Sequence, residues 1–576
     1  EAEVAEAEAE AAAATVLDAS SASSAGPPPV ATSTEQLRAM TLPQLRARAR
    51  ALGVAPLPRS KRQLVEAVES ASSVPATQAT LRRRRSFEQF VQRDLVLFSL
   101  AALRRSLPSL IDGLKPSQRK VLHACFKRRL AAPAELKVAQ LASFVADVTQ
   151  YHHGETSLVA TITKMAQGFV GAANVPLLEP LGQFGTRAMG GADAASARYI
   201  FTRLAPVVPL LFPEADAPVL EPRVEDGEKV EPEHFAPLLP LLLINGAAGI
   251  GTGWSTAVWP HHPLAVLDAC SAVLRGEPPP PLRPWARGFT GSFVPHQKGG
   301  GFESVGRVEV TAEGVEVLEL PLGRWTQDYK SWLIEQQKNE GCPWRSFSER
   351  HTERSVHFVL HASAAQLDRL GREPDLTRRL GLRASHSLTN MHVFDEHGAL
   401  LRLQSAGEAI ARFVPVRLAT YEARKAHQLD LLGRELRRLE AQARFVALVA
   451  GGTLRLNMPR SEVDAQLASL GFSATDPGGG VRAEPRGRRG SDDAEAGGAG
   501  GAPFDYLLRL PLAGLTEERV ARLEARCEAV RSEMAELGPM SAREMYEEEL
   551  AALRPRLAAI LGEEAAYDSP AEGDWG

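Results

Sequence analysis

From Leu429 onward the apolar residues Leu429, Leu432, Leu436, Leu439, Ala443 and Val446 recur at intervals of 3, 4, 3, 4 and 3, the spacing of a heptad seam on one helix face. A second seam follows at Leu523, Cys527, Val530, Met534 and Leu537. Between them, residues 476–503 read DPGGGVRAEPRGRRGSDDAEAGGAGGAP, a composition that does not pack. Two seams on either side of such a segment predict two long antiparallel helices with small globular material between them; an ordinary helical bundle is the plainer alternative.

The remaining chain is long enough for further cores, since 576 residues at roughly 100 to 200 per domain make three or four domains. Polar and apolar residues alternate between Glu303 and Leu320 and again from Ser355 to His361, which predicts half-buried strands and an α+β domain. Residues 1–33 lack Lys and Arg and contain Pro27, Pro28 and Pro29; they read as a disordered acidic tail. Leu37, Leu42, Leu45 and Leu52 precede Gly53, and Leu64, Val65 and Val68 follow a turn at Pro56 to Ser60, so a small basic helical hairpin is expected. Cys125, Cys270, Cys342 and Cys527 are too scattered for a disulfide framework or a CxxC zinc site, which fits a reducing compartment. No apolar run reaches the roughly 20 residues that cross a bilayer, so no membrane is expected among the partners. No secretory signal is visible after Glu1.

Charge is distributed unevenly. Residues 37–130 hold 20 Lys and Arg against 5 Asp and Glu, a surplus of 15 within a chain whose net charge is -4, so the remainder carries -19. A stripe that basic in an otherwise acidic protein reads as a polyanion footprint, with a solvated face or an anionic membrane contact as alternatives.

Three motifs carry chemistry. In RRSLPSLIDGLKPSQRKVLHACFKRR, Pro108 and Pro116 are suited to helix starts, and Lys115, Arg119 and Lys120 gather at the second, an arrangement that attracts phosphate. In KVAQLASFVADVTQYHHGETSLVATITKMAQGFVG, two amphipathic helices flank the turn from Tyr151 to Glu155, giving helix-turn-helix geometry. His152 and His153 lack further ligands at metal spacing, so DNA backbone or a catalytic centre is favoured over zinc and no metal site is assigned. In GQFGTRAMGGADAASARYIFTRL, a Gly-rich loop delivers Arg198 and Tyr199. A phenol with a pKa near 10 is about one part in a thousand ionised at neutral pH, so a nucleophilic tyrosine needs a cation beside it.

In order, DGLKPSQRKVL, KVAQLASFVADVTQYHHGE, GQFGTR, AASARYIFT and INGAAGIGTGWS closely resemble the DNA breakage and reunion core of eukaryotic-type (type IIA) DNA topoisomerase II. The resemblance continues through ELPLGRWTQDYK, HTERSVHFVL, LTNMHVFD, LEAQARFV and FDYLLRLPLAGLT, spanning about residues 86–556. It implies that Tyr199 attacks a DNA phosphodiester with Arg198 stabilising the transition state. Arg105, Lys115, Arg119 and Lys120 would hold the cleaved backbone, His152 and His153 would lie near the scissile phosphate, and Ile250 would intercalate to bend the DNA. Two departures stand out: Ala197 where the family usually has Pro, and Ala248 where it usually has Glu.

The implied architecture is α+β and multidomain: a 1–33 tail, a 34–72 hairpin resembling a SAP module, a 73–85 basic linker, and an 86–228 winged-helix domain with the catalytic tyrosine. A 229–404 α/β tower domain, a 405–562 coiled-coil arm with a small globular dimerisation domain, and a 563–576 tail follow. Double-stranded DNA and a second copy are the implied partners. Magnesium and ATP belong to Toprim and ATPase domains whose motifs are not found in the sequence, so the chain reads as a fragment or divergent form served by a separate polypeptide. A non-catalytic DNA-binding chromatin protein and an incomplete gene model are the competing readings. Nuclear residence is implied, with an organellar copy as the other reading.

Overall fold

The computed structural model describes residues 37, 40–51, 60–73, 86–225, 227–311, 314–339, 341–373, 375–478, 502–511 and 516–562. The tails, the linker 74–85 and most of the Gly-rich segment 476–503 lie outside them. The chain divides into two units, Glu1–Leu103 and Arg104–Gly576.

In the first unit, helices α1 (Leu42–Ala51) and α2 (Lys61–Ser73) share a core of Leu37, Leu45, Ala49, Leu64, Val65 and Val68. Their starts are capped: Thr41 N donates to Gln44 Oε1 at 2.9 Å, and Gln63 N donates to Ser60 Oγ at 3.3 Å, satisfying amides that a helix start leaves without partners. Gly53 and Pro56 of the expected turn are outside the described residues. A further helical stretch opens at Ser86, whose hydroxyl accepts Gln89 N at 3.1 Å.

The second unit begins with α3 (Pro116–Arg128), β1 (Leu136–Lys137), α4 (Val138–Thr149), α5 (Glu155–Ala166), β2 (Leu178–Leu181) and β3 (Phe201–Leu204). Pro116 opens α3, where a missing N–H deprives no carbonyl of a bond. Pro108 starts no helix; Phe394 N donates to its carbonyl at 3.0 Å instead. Along α4, Val138, Leu141, Ala142 and Val145 are buried at helical spacing. The strands form an antiparallel sheet in the order β1-β3-β2, with Leu136 opposite Thr202 and Leu178 opposite Leu204.

Two hairpins follow, β4–β5 (Pro222–Glu225, Glu228–Pro232) and β6–β7 (Ala247–Gly251, Trp254–Val258), then helix α6 (Pro263–Leu274). Strands β8 (Ser292–Pro295), β9 (Gly301–Val305) and β14 (Arg383–Ser387) form one sheet. Strands β10 (Val308–Val310), β11 (Val315–Val317), β12 (Ser346–Glu349) and β13 (Phe358–His361) form another. Val315 and Val317 are buried and pair with Leu360 and Phe358, matching the alternation in the sequence. Helix α7 (Thr326–Gln337) packs here through Tyr329 and Leu333.

Strands β15 (Met391–Phe394) and β16 (Leu400–Leu403) lead into α8 (Ala406–Ala450), whose 45 residues extend roughly 68 Å. Helix α9 (Glu517–Leu537) returns antiparallel to it, with Lys425 Nζ donating to Met540 O at 2.7 Å just past its end. Leu523, Cys527 and Val530 of the second seam are buried. A small core at the far end joins Phe445, Val446, Val463, Leu467, Phe472 and Leu507. Helix α10 (Ala542–Leu561) comes back to the first core.

The first core unites residues from Leu110 to Leu282 with Met391, Leu403, Ile410, Phe413 and the buried face of α10. Divisions at 228/229 and 404/405 therefore cut through one packed body. The apolar strings around Leu239–Ile244 and Leu264–Leu274 bury against helices distant in sequence, a pairing that no local pattern announces.

Candidate active site

Tyr199 sits on a turn between the Gly-rich loop and β3. The turn closes by Tyr199 N donating to Ser196 O at 2.9 Å, and it is fastened to the start of α4: Ala139 N donates to Ala197 O at 3.1 Å and Val138 N to Ile200 O at 3.0 Å. These are amides without intrahelical acceptors, so the turn caps the helix and the helix fixes the turn. Ala197 takes part through its carbonyl, which the absence of proline leaves unaffected. Ile200 is buried, whereas Tyr199 is 70% exposed; the Arg198 guanidinium lies 5.8 Å from the Tyr199 ring centre. Behind them the Gly-rich loop is tied down by Thr186 Oγ1 donating to Asp193 Oδ2 at 2.6 Å and by a buried Arg187–Glu319 ion pair.

The basic segment is not uniformly available. Arg105 is exposed and Lys115 half-buried, but Arg119 and Lys120 are buried. Arg119 forms a two-pronged pair with Asp112, Nε to Oδ2 at 2.6 Å and Nη2 to Oδ1 at 3.0 Å. Lys120 Nζ donates to Thr149 O at 2.7 Å, Glu225 Oε2 at 2.8 Å and Glu231 Oε2 at 3.1 Å. The expectation that these two hold a DNA backbone is corrected: their donors are committed to internal acceptors, and they shape the surface that Arg105 and Lys115 present.

His152 and His153 are exposed on the turn after α4, where Tyr151 packs edge-on to the His153 ring at 5.3 Å. Partial burial, then the charges of Arg105 and His152, lower the His153 pKa, with Glu225 opposing. Arg105, Lys120, Glu225 and the two histidines thus form one electrostatic neighbourhood. Tyr199 belongs to another. Its turn caps the first residues of α4 while the histidines follow the last, and 12 helical residues separate the two ends by roughly 18 Å.

Ile250 is 69% exposed near the tip of hairpin β6–β7. The hairpin base is seated by Gly249: a Cβ there would lie 2.1 Å from Ser106 O and 3.6 Å from Lys115 Nζ. Only glycine permits that approach, and it sets the hairpin beside Lys115. Among the described residues no three His, Cys, Asp or Glu side chains converge as a metal site, so they do not fit a magnesium ion. Sequence reasoning missed Asp112, Glu225 and Glu231, the internal acceptors; an acid seven residues before Arg119 was the one available signal.

These elements sit on a fold shared with a known class of DNA-processing protein. The structure is similar to a Plasmodium falciparum topoisomerase II DNA-binding, cleavage and re-ligation domain, with a TM-score of 0.73 and 31% identity, covering 83% of this chain and 65% of that one. Residues 105–551 match the family model of the DNA gyrase/topoisomerase IV A-type polypeptide, and the chain belongs to that family. Among curated relatives, it is 35% identical to the DNA topoisomerase 2-beta of Gallus gallus over 84% of this chain and 30% of that protein. It is 42% identical to the mitochondrial DNA topoisomerase 2 of Dictyostelium discoideum over 64% of this chain and 29% of that protein. The chain therefore spans less than a third of these relatives.

Proposed function

We propose that the chain is the DNA breakage and reunion core of a type II topoisomerase, with Tyr199 as nucleophile. The phenolic oxygen bonds to a backbone phosphorus as the bond to the 3'-oxygen breaks; the phenol proton leaves and the 3'-oxygen acquires one. The product is a 5'-phosphotyrosyl link and a free 3'-hydroxyl, and because the new linkage is also a phosphodiester, resealing needs no added energy. Arg198 offsets the charge that develops on phosphorus-bound oxygen. The observation that carries the reading is an exposed Arg198-Tyr199 pair on a turn clamped to the start of α4.

The helices α3–α5 and sheet β1-β3-β2 are read as a winged-helix domain, the β-rich region as a tower, and α8–α9 as a coiled-coil arm ending in a dimerisation domain. Residues 34–72 are read as a SAP-like DNA-binding module. The helix-length gap between Tyr199 and the histidines favours a symmetric dimer, in which the histidine turn and Arg105 of one copy approach the phosphate attacked by Tyr199 of the other. Two such sites on opposite strands would open a duplex for passage of a second. Magnesium and ATP are assigned to Toprim and ATPase modules supplied from elsewhere, and residence to the nucleus or an organelle.

Tyr199→Phe tests the assignment. With magnesium and a Toprim-bearing partner present, the substitution should abolish covalent protein–DNA adducts while leaving duplex affinity intact. Adducts at the unsubstituted yield would refute the role of Tyr199.

A further inference from the structure

We infer that His392 is a positioning residue for the hairpin that carries Ile250; the inference rests on the reading of Ile250 as a DNA-bending wedge. A two-stranded hairpin is marginally stable alone, and β6–β7 turns through only Thr252 and Gly253. Separating stacked bases costs a few kcal/mol. A hairpin free to swing would yield before the DNA did, so the wedge works only if its strands are braced from behind.

The brace is the segment 390–392. Ala257 N donates to Asn390 O at 2.7 Å, His392 N donates to Thr256 Oγ1 at 3.1 Å, and Asn390 Nδ2 donates to Ser255 Oγ at 2.9 Å. The His392 ring adds two contacts that backbone pairing does not supply. Its Nδ1 lies 2.9 Å from Ser255 O and 3.0 Å from Asn390 Oδ1; both oxygens are acceptors, so Nδ1 carries the proton. The ring also meets Trp254 edge-on, with centres 5.0 Å apart.

Ser255 is the residue directly opposite Ile250 in the hairpin, and Trp254 is the first residue after its turn. One imidazole therefore holds both the strand that backs the wedge and the edge of its tip. The brace is itself anchored, because Leu110 N donates to Phe394 O at 2.8 Å and Phe394 N to Pro108 O at 3.0 Å. Through β15 the Ile250 hairpin is set relative to the chain segment that follows Arg105.

The full chain, bound to a duplex bearing donor and acceptor dyes at its two ends, reports bending as energy transfer and affinity as anisotropy. His392→Phe keeps a ring against Trp254 but removes the donor. The ratio of bent to unbent complex should fall about fivefold, the weight of one buried hydrogen bond, with affinity within about twofold because phosphate contacts persist. His392→Asn places an amide N–H where Nδ1 stood and should restore bending. Loss of bending in both variants would overturn the inference, since shape rather than the donor would then be responsible. Ile250→Ala separates the two readings. If it abolishes the bend while His392→Phe bends like the unsubstituted chain, the positioning role alone fails; if Ile250→Ala bends normally, the wedge reading fails and takes the inference with it.

Discussion

Asp112 and Arg119 meet as a buried pair in which both carboxylate oxygens face the guanidinium, at 2.6 and 3.0 Å. The same carboxylate accepts Leu114 N at 3.0 Å and Phe235 N at 3.0 Å. Four donors on one buried acid fold the loop that delivers Lys115 to its place beside Gly249. Removing one partner would leave a charge inside the core without its counterpart, a loss of about 3–5 kcal/mol. Asp112→Asn should therefore lower the melting temperature strongly, and a melting curve matching that of the unsubstituted chain would show that the pair does not hold the loop.

The division of the basic residues into external and internal sets has a thermodynamic signature. Each phosphate contact contributes about -0.9 to the slope of log K against log salt. Arg105→Ala and Lys115→Ala should each make the slope shallower by about that amount. Lys120→Met should leave the slope unchanged and instead reduce thermal stability, because its ammonium meets Glu225, Glu231 and Thr149 O. Anisotropy titrations across a salt series decide the matter: a slope lowered by Lys120→Met would return that lysine to the DNA surface.

What the sequence made legible is local in origin. The seams of α8 and α9 follow from heptad spacing, and the buried faces of β11 and α4 follow from periods of two and of 3.6 residues. The Tyr199 and Ile250 positions came from motif resemblance, and each proved exposed on a braced turn. The fate of Arg119 and Lys120 was not legible, because charge counting cannot tell a free cation from a paired one. Lys120 finds its acids 105 and 111 residues away on a hairpin, and that pairing exists only once β4–β5 has packed near α4. The single first core was hidden for the same reason: α10 joins it from the opposite end of the chain.

Three histidines predict how the chain responds to acid. Burial lowers the pKa of His261 from 6.5 to about 4 against the opposing hydrogen bonds to Leu243 and Trp259. Burial, followed by the neighbouring charge of His296, brings His386 to about 4; burial, Lys127 and Lys120 do the same for His123. In each case the folded chain resists a proton that the unfolded chain accepts. Their contribution is fully present above 6.5 and is lost as the pH falls from there toward 4, since protons then bind preferentially to the unfolded state. His261, wholly enclosed, should account for about 3 kcal/mol across that window. Melting temperatures measured from about pH 7 down to about pH 5 should drop steadily, and His261→Gln, which cannot titrate, should flatten the decline even if it starts from a lower value. An equally steep decline in that variant would mean that other groups govern the acid response.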